Sequence, residues 1–111
     1  MMNYQLHITA TAGRDMSHAA DYIEFELKNP QAADDLLDEV ERQINALAQF
    51  PEKFPHVEDK LLASWGIRFT LVNNYLAFYV IAEEEQQVNI VRFLYGKSNW
   101  TSILKRSFPL A

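Results

Sequence analysis

The sequence predicts an α+β domain, a helical hairpin packed on a small sheet, in the order β-α-α-β-β-β with a short C-terminal helix. Three observations carry this. Apolar residues between Met16 and Leu47 recur at spacings of three and four, the period of a helix packed along one face. Between Gly66 and Tyr95 they alternate or run continuously, as in half-buried and central strands. Proline-bearing breaks at Pro30 and at Pro51 to Pro55 separate the blocks. The chain of 111 residues, 49% of them hydrophobic, has the length and apolar surface for one core, so residues 1–111 are read as a single domain of one sheet and one helical layer.

The first strand is the alternating run from Tyr4 to Thr9. After Thr11-Ala12-Gly13, residues Met16, Ala19, Ala20, Ile23 and Leu27 form the stripe of an amphipathic helix that ends at Lys28-Asn29-Pro30. Pro30 also suits the first turn of a second helix, where its missing N–H would have no partner. That helix carries Ala33, Leu36, Leu37, Val40, Ile44 and Leu47 in register, with acids gathered toward its positive N-terminal end, and stops near Phe50-Pro51. Residues 51–60 read as a surface loop. Ile67, Phe69 and Leu71 begin a second strand, and Asn73-Asn74 tolerates the positive φ of a tight turn. Tyr75 to Ile81 is apolar on both faces, Glu83 to Gln87 reverses the chain, and Val88 to Tyr95 completes a three-strand meander. Trp100, Ile103 and Leu104 then share a face of a short helix after Lys97-Ser98-Asn99, and the tail from Phe108 to Ala111 is read as loosely docked or free.

Composition removes several functions. The absence of cysteine excludes disulfides, thiolate metal sites and cysteine nucleophiles, and His7, His18 and His56 are not at metal-ligand spacings, so neither metal nor cofactor is expected. No apolar run approaches a membrane span, and no basic-then-apolar leader opens the chain, which is read as cytoplasmic with no membrane partner. The formal charge of −5 disfavours a sequence-independent nucleic-acid binder. Its distribution is uneven. Residues 1–85 hold all 15 acids and six basic residues, a balance of −9; residues 86–111 hold Arg92, Lys97, Lys105 and Arg106 and no acid, a balance of +4. Such asymmetry marks either an anion-facing surface or a solvated face that offsets the acidic helices.

Pro30-Gln31-Ala32-Ala33, Leu47-x-x-Phe50-Pro51, Gly66-Ile67-Arg68, Asn74-Tyr75-Leu76-Ala77-Phe78-Tyr79 and Val88-x-Ile90-x-Arg92-x-Leu94-Tyr95-Gly96-Lys97-x-x-Asn99-Trp100 follow one another in order over nearly the whole chain. Together they resemble the RelE/ParE toxin superfamily. The resemblance implies a plasmid-stabilisation type toxin that stops growth unless a cognate antitoxin binds it. It also implies contact with operator DNA only indirectly, through the antitoxin. An exposed apolar groove between the acidic helices and the aromatic strand is expected to receive an antitoxin segment.

Two targets occur in the superfamily: DNA gyrase, poisoned without established chemistry by the toxin, and ribosome-bound mRNA, cleaved without metal by attack of a 2′-hydroxyl. A third outcome is a relic that binds its antitoxin and represses but is no longer toxic. Cleavage needs a base, an acid and cations fixed around the phosphorane, and the candidates here are Arg68, Arg92, Tyr95 and Lys97. Tyr95 would need a strongly lowered pKa to act as base. Leu76 and Ser98 stand where RNA-cleaving relatives often carry Arg, and the acidic charge departs from those relatives again, so the arrangement is closer to the ParE type. Enzymatic activity is left open by the sequence. Arg92 has the parity of Val88, Ile90 and Leu94, which allows it a structural place on an apolar face with its head exposed.

Overall fold

Four strands, β1 (Gln5–Ile8), β2 (Arg68–Val72), β3 (Tyr75–Ala82) and β4 (Gln87–Tyr95), form one sheet in the order β1-β4-β3-β2. The structure is a computed structural model that describes residues 3–107; the expected C-terminal tail lies outside the described residues. β2, β3 and β4 are the antiparallel meander, whereas β1 pairs parallel to β4, Leu6 opposite Val88 and Ile8 opposite Ile90. Between β1 and β2 run α1 (Ala10–Asp21), continued by a π-helical turn (Tyr22–Glu26), then α2 (Pro30–Leu47) and a one-turn helix, α3 (Lys60–Ser64); α4 (Trp100–Ser107) follows β4.

Helix α1 begins earlier than its apolar stripe indicates. Thr9 donates its amide to Ile90 O (3.1 Å) as the last residue of the edge, and its side chain caps the helix by accepting from Ala12 N (3.1 Å). At the other end the π turn inserts an additional residue, with Leu27 N donating to Tyr22 O, before Lys28 takes φ 55°. The wider turn rotates the stripe, so that Leu27, expected in the core, is 57% exposed. Asn29 caps α2 through Ala32 N, with Pro30 at the first position, as its composition predicts.

Ala12, Met16, Leu36, Val40, Ile44 and Leu47 pack against Val72, Ala77, Tyr79, Val88, Ile90 and Phe93 on one sheet face. The expectation of a single helical layer is incomplete. A second cluster of Val57, Leu62, Ile67, Phe78 and Leu104, joined by Trp65 and Trp100, covers the opposite face under α3 and α4. This is why β3 is apolar on both sides. Helix α3 escapes a periodicity reading because five residues make barely more than one turn; it is held by Asp59, whose carboxylate accepts Leu62 N (3.1 Å) and pairs with Lys105 (3.1 Å) of α4.

One irregularity bears on function. Phe78 pairs with Arg92 but Tyr79 pairs with Ile90, leaving Val91 as an extra residue on β4. The bulge resets the alternation, so Val88, Ile90 and Phe93 share the helical face and Arg92 loses the parity that simple counting assigns to it.

Candidate functional site

Strand β4 is longer than β1, and parallel pairing stops at Ile90. Beyond that point α1 runs along the open edge and brings Asp15 to it. Asp15 Oδ2 accepts Phe93 N (3.0 Å), taking up a ladder amide that β1 does not reach. The same carboxylate takes the Arg92 fork, Nε on Oδ2 (2.7 Å) and Nη2 on Oδ1 (3.0 Å). Arg92 Nη1 donates to Ser107 Oγ (2.6 Å), which donates in turn to Ile103 O (2.7 Å). The Arg92 and Asp15 side chains are 18% and 11% exposed, so the pair is largely desolvated and joins α1, β4 and α4. A guanidinium held this way has its planar fork committed to a carboxylate, the group a phosphate would have to replace.

Arg68 lies opposite Tyr79 across β2 and β3. Its Nη1 donates to Phe54 O (2.6 Å) and Glu52 O (3.3 Å), while Tyr79 OH donates to Pro51 O (2.6 Å). The two side chains thus pin the segment after α2 to the sheet. Tyr79 is fully buried, and that burial pushes its phenol up to about 12, against a smaller lowering by the Arg68 charge.

Tyr95 sits at the other end of the sheet, 43% exposed, its ring edge-on to Tyr75 (5.6 Å), which stacks on Phe93 (5.0 Å). Tyr22, Ile23, Leu27 and Asn74 complete a groove of about 520 Å³ around these rings, between the helical hairpin and the aromatic strands. Desolvation, then the neighbouring Tyr95 and Tyr22, raises the Tyr75 phenol, the direction opposite to that of a general base. Lys97 is exposed beyond Gly96 and has no side-chain partner among the described residues. Gly96 is required by close approach: its N–H meets Asn74 O at 2.8 Å, and an added Cβ would lie 3.1 Å from that oxygen.

The four candidates do not converge. Arg68 and Tyr95 are opposite Tyr79 and Tyr75, four residues apart on β3, on the order of 13 Å along the strand. Arg92 lies between these ends, turned to Asp15. Asp15 is not among the candidates read from the sequence, although it holds Arg92 and the Phe93 amide. The available signal was its spacing, three after Ala12 and four before Ala19, both buried. Among the described residues no group of three or more His, Cys, Asp or Glu is arranged to hold a metal ion, and no helix is long and apolar enough to cross a membrane.

Residues 6–100 match the family model of the ParE toxin of the type II toxin-antitoxin system, parDE. No curated protein matches the chain significantly. Among solved structures, the chromosomal ParDE toxin-antitoxin system of P. aeruginosa is similar with a TM-score of 0.68 at 17% identity, over 83% of this chain and 95% of that one. The toxin-antitoxin complex RelBE2 of Mycobacterium tuberculosis is similar with a TM-score of 0.60 at 22% identity, over 86% of this chain and 93% of that one. At these identities the two likenesses establish the shared fold.

Proposed function

From the premise that the chain belongs to the ParE toxin family of type II toxin-antitoxin systems, we propose that it arrests growth when unaccompanied, is neutralised by a cognate antitoxin, and acts on DNA gyrase and not by cutting mRNA. The observation that carries the choice of target is the engagement of Arg92. Metal-free cleavage of a phosphodiester needs cations preorganised around one phosphate together with a base and an acid. Here Arg92 is spent on Asp15 and Ser107, Arg68 on the Glu52 and Phe54 carbonyls, and Tyr95 stands at the far end of the sheet. Leu76 and Ser98 add no charge where RNA-cleaving relatives often carry it. Poisoning a protein target demands surface complementarity and no such constellation, which these residues do not oppose.

The test uses one preparation of the toxin in two assays. Supercoiling by purified gyrase is expected to be inhibited, or gyrase trapped on DNA, while mRNA on translating ribosomes stays intact in the decoding site. Codon-position-specific cuts with unaffected gyrase would reverse the assignment. Normal growth on unaccompanied expression of folded protein would instead identify a relic that only binds its antitoxin.

A further inference from the structure

Leu71, Leu76 and Leu94 form a row across the sheet, Leu71 of β2 opposite Leu76 of β3, and Leu76 opposite Leu94 of β4. Val72 packs in the cluster under α1 and α2, and Phe69 against the cluster under α3 and α4, so alternation turns Leu71 to the second face, where Leu76 and Leu94 also lie. The helices of that face stop short of the row. α4 opens with Trp100, whose ring packs on Phe78 (5.3 Å), two residues further along β3. Leu71 is 59% exposed, and Leu76 and Leu94 are half-buried.

Spacing and charge define the occupant. Neighbouring strands lie about 4.8 Å apart, so the row is about 10 Å long and runs across the strands. A helix laid along it places residues i, i+4 and i+7 over about 10.5 Å, at 1.5 Å per residue. An extended segment spaces its same-face side chains at about 6.7 Å and does not match. The outer side of β2 is also occupied as far as Phe69, whose N–H donates to Pro55 O (3.3 Å), while Val57 N donates to Ile67 O (3.0 Å). At the end of the sheet where the row lies, Gly96 N on Asn74 O (2.8 Å) fixes the segment that carries Lys97, exposed and unpaired among the described residues. The acids after Asp59 are Glu83, Glu84 and Glu85 in the turn between β3 and β4, six residues or more beyond Leu76, about 20 Å along the sheet. A second copy stacked row on row would bring two Lys97 side chains together with no acid between them. Three leucines also fall short of the roughly 20–30 residues a side of a stable interface.

We infer that this row is the surface by which the toxin holds its protein target: an amphipathic helix of the target lies across β2, β3 and β4, its apolar side chains on Leu71, Leu76 and Leu94 and a flanking Asp or Glu at Lys97. This rests on the reading of the chain as a gyrase-directed toxin, and names the contact which that reading requires. Tyr75 packs with Phe93 in the cluster under α1 and α2, and Tyr95 shares the parity of Phe93. The aromatic groove therefore lies on the other face of the sheet and stays free for a second partner.

The closing experiment sets purified gyrase against the wild-type toxin and four single variants, each first shown to be folded by its melting temperature. Leu71→Glu and Lys97→Glu should raise the toxin concentration that halves supercoiling by about tenfold or more, and Leu71→Lys should lose less, because its charge suits an acidic partner. Leu37→Glu, which alters an exposed leucine of α2 on the other side of the sheet, should leave inhibition unchanged. Hydroxyl-radical labelling of Leu76 and Leu94 should fall when gyrase binds. Equal inhibition by all the variants, with both leucines still labelled, overturns the surface while the target reading stands. If the wild type leaves gyrase untouched, the target reading fails and a synthetic helix decides the surface alone. With Leu at i, i+4 and i+7 and Glu on both flanks, it should shield the two leucines where its Lys-for-Glu counterpart does not; equal shielding by both, or none, overturns the inference. A dimer of the chain that shields the leucines, or labelling that rises only when residues 108–111 are removed, also overturns it.

Discussion

Replacing Asp15 with Ala removes three contacts at one carboxylate: the two prongs of Arg92 and the Phe93 amide. Arg92 would be left 18% exposed with a hydroxyl as its remaining partner, and the Phe93 N–H would face the methyl of an alanine. Breaking a desolvated pair by removing one member costs about 3–5 kcal/mol. Partial exposure of both side chains places this case at the low end, about 3 kcal/mol. Against a total stability of about 5–15 kcal/mol that is a large fraction. At about 4–8 °C per kcal/mol, the melting temperature should fall by roughly 12–24 °C. Urea unfolding followed by far-UV circular dichroism gives the same quantity as a lowered midpoint at constant slope. Asp15→Asn keeps an acceptor for the Phe93 amide while losing the charge, and should fall between wild type and Ala. In a double-mutant cycle, Arg92→Ala should cost little more once Asp15 is gone. An Asp15→Ala protein within about 0.5 kcal/mol of wild type, the range of ordinary surface substitutions, would refute the clamp and return Arg92 to the list of free cations.

Other outcomes follow from the same structure. Tyr79→Phe should lose about 1–2 kcal/mol with the bond to Pro51 O. Because the native phenol is raised from 10.0 to about 12, the stability it contributes is complete below pH 10 and is lost as pH rises toward 12; alkaline denaturation should therefore be shallower over that window in the Phe variant. Gly66 holds φ 80° between α3 and β2, so Gly66→Ala should cost about 1–2 kcal/mol by thermal unfolding, with no loss of contacts. Lys97→Ala should weaken growth arrest while leaving the melting temperature unchanged, whereas Arg92→Ala should reduce toxicity only as far as it reduces folded protein. Equal toxicity of the Lys97→Ala and wild-type proteins at equal abundance would make Lys97 ordinary surface.

The elements that were legible are those whose signal is local and repeated. The stripe from Ala33 to Leu47, the cap and break at Asn29-Pro30, and the doubly apolar run from Tyr75 report the period of a face that must be buried, and such periods survive in one dimension. Element order and family resemblance followed from them. Short or displaced features were less accessible: α3 has too few residues for a period, and the π turn after Asp21 alters the helical count without any proline or glycine to mark it.

What the sequence by itself determined was therefore the fold class, the helical hairpin with its acidic outer face, and the family to which the pattern points. What only the tertiary structure decided was the state of each candidate residue. Val91, bulged out of the ladder, changed the side to which Arg92 turns; Asp15, 77 residues away, neutralised it; and β1, docked parallel on β4, created an edge that no local pattern announces. The physical reason is common to all three. A hydrophobic period is a property of neighbours in the chain, whereas the pairing of a charge or a strand edge depends on which distant segment arrives there, and that is set by the packing of the whole sheet.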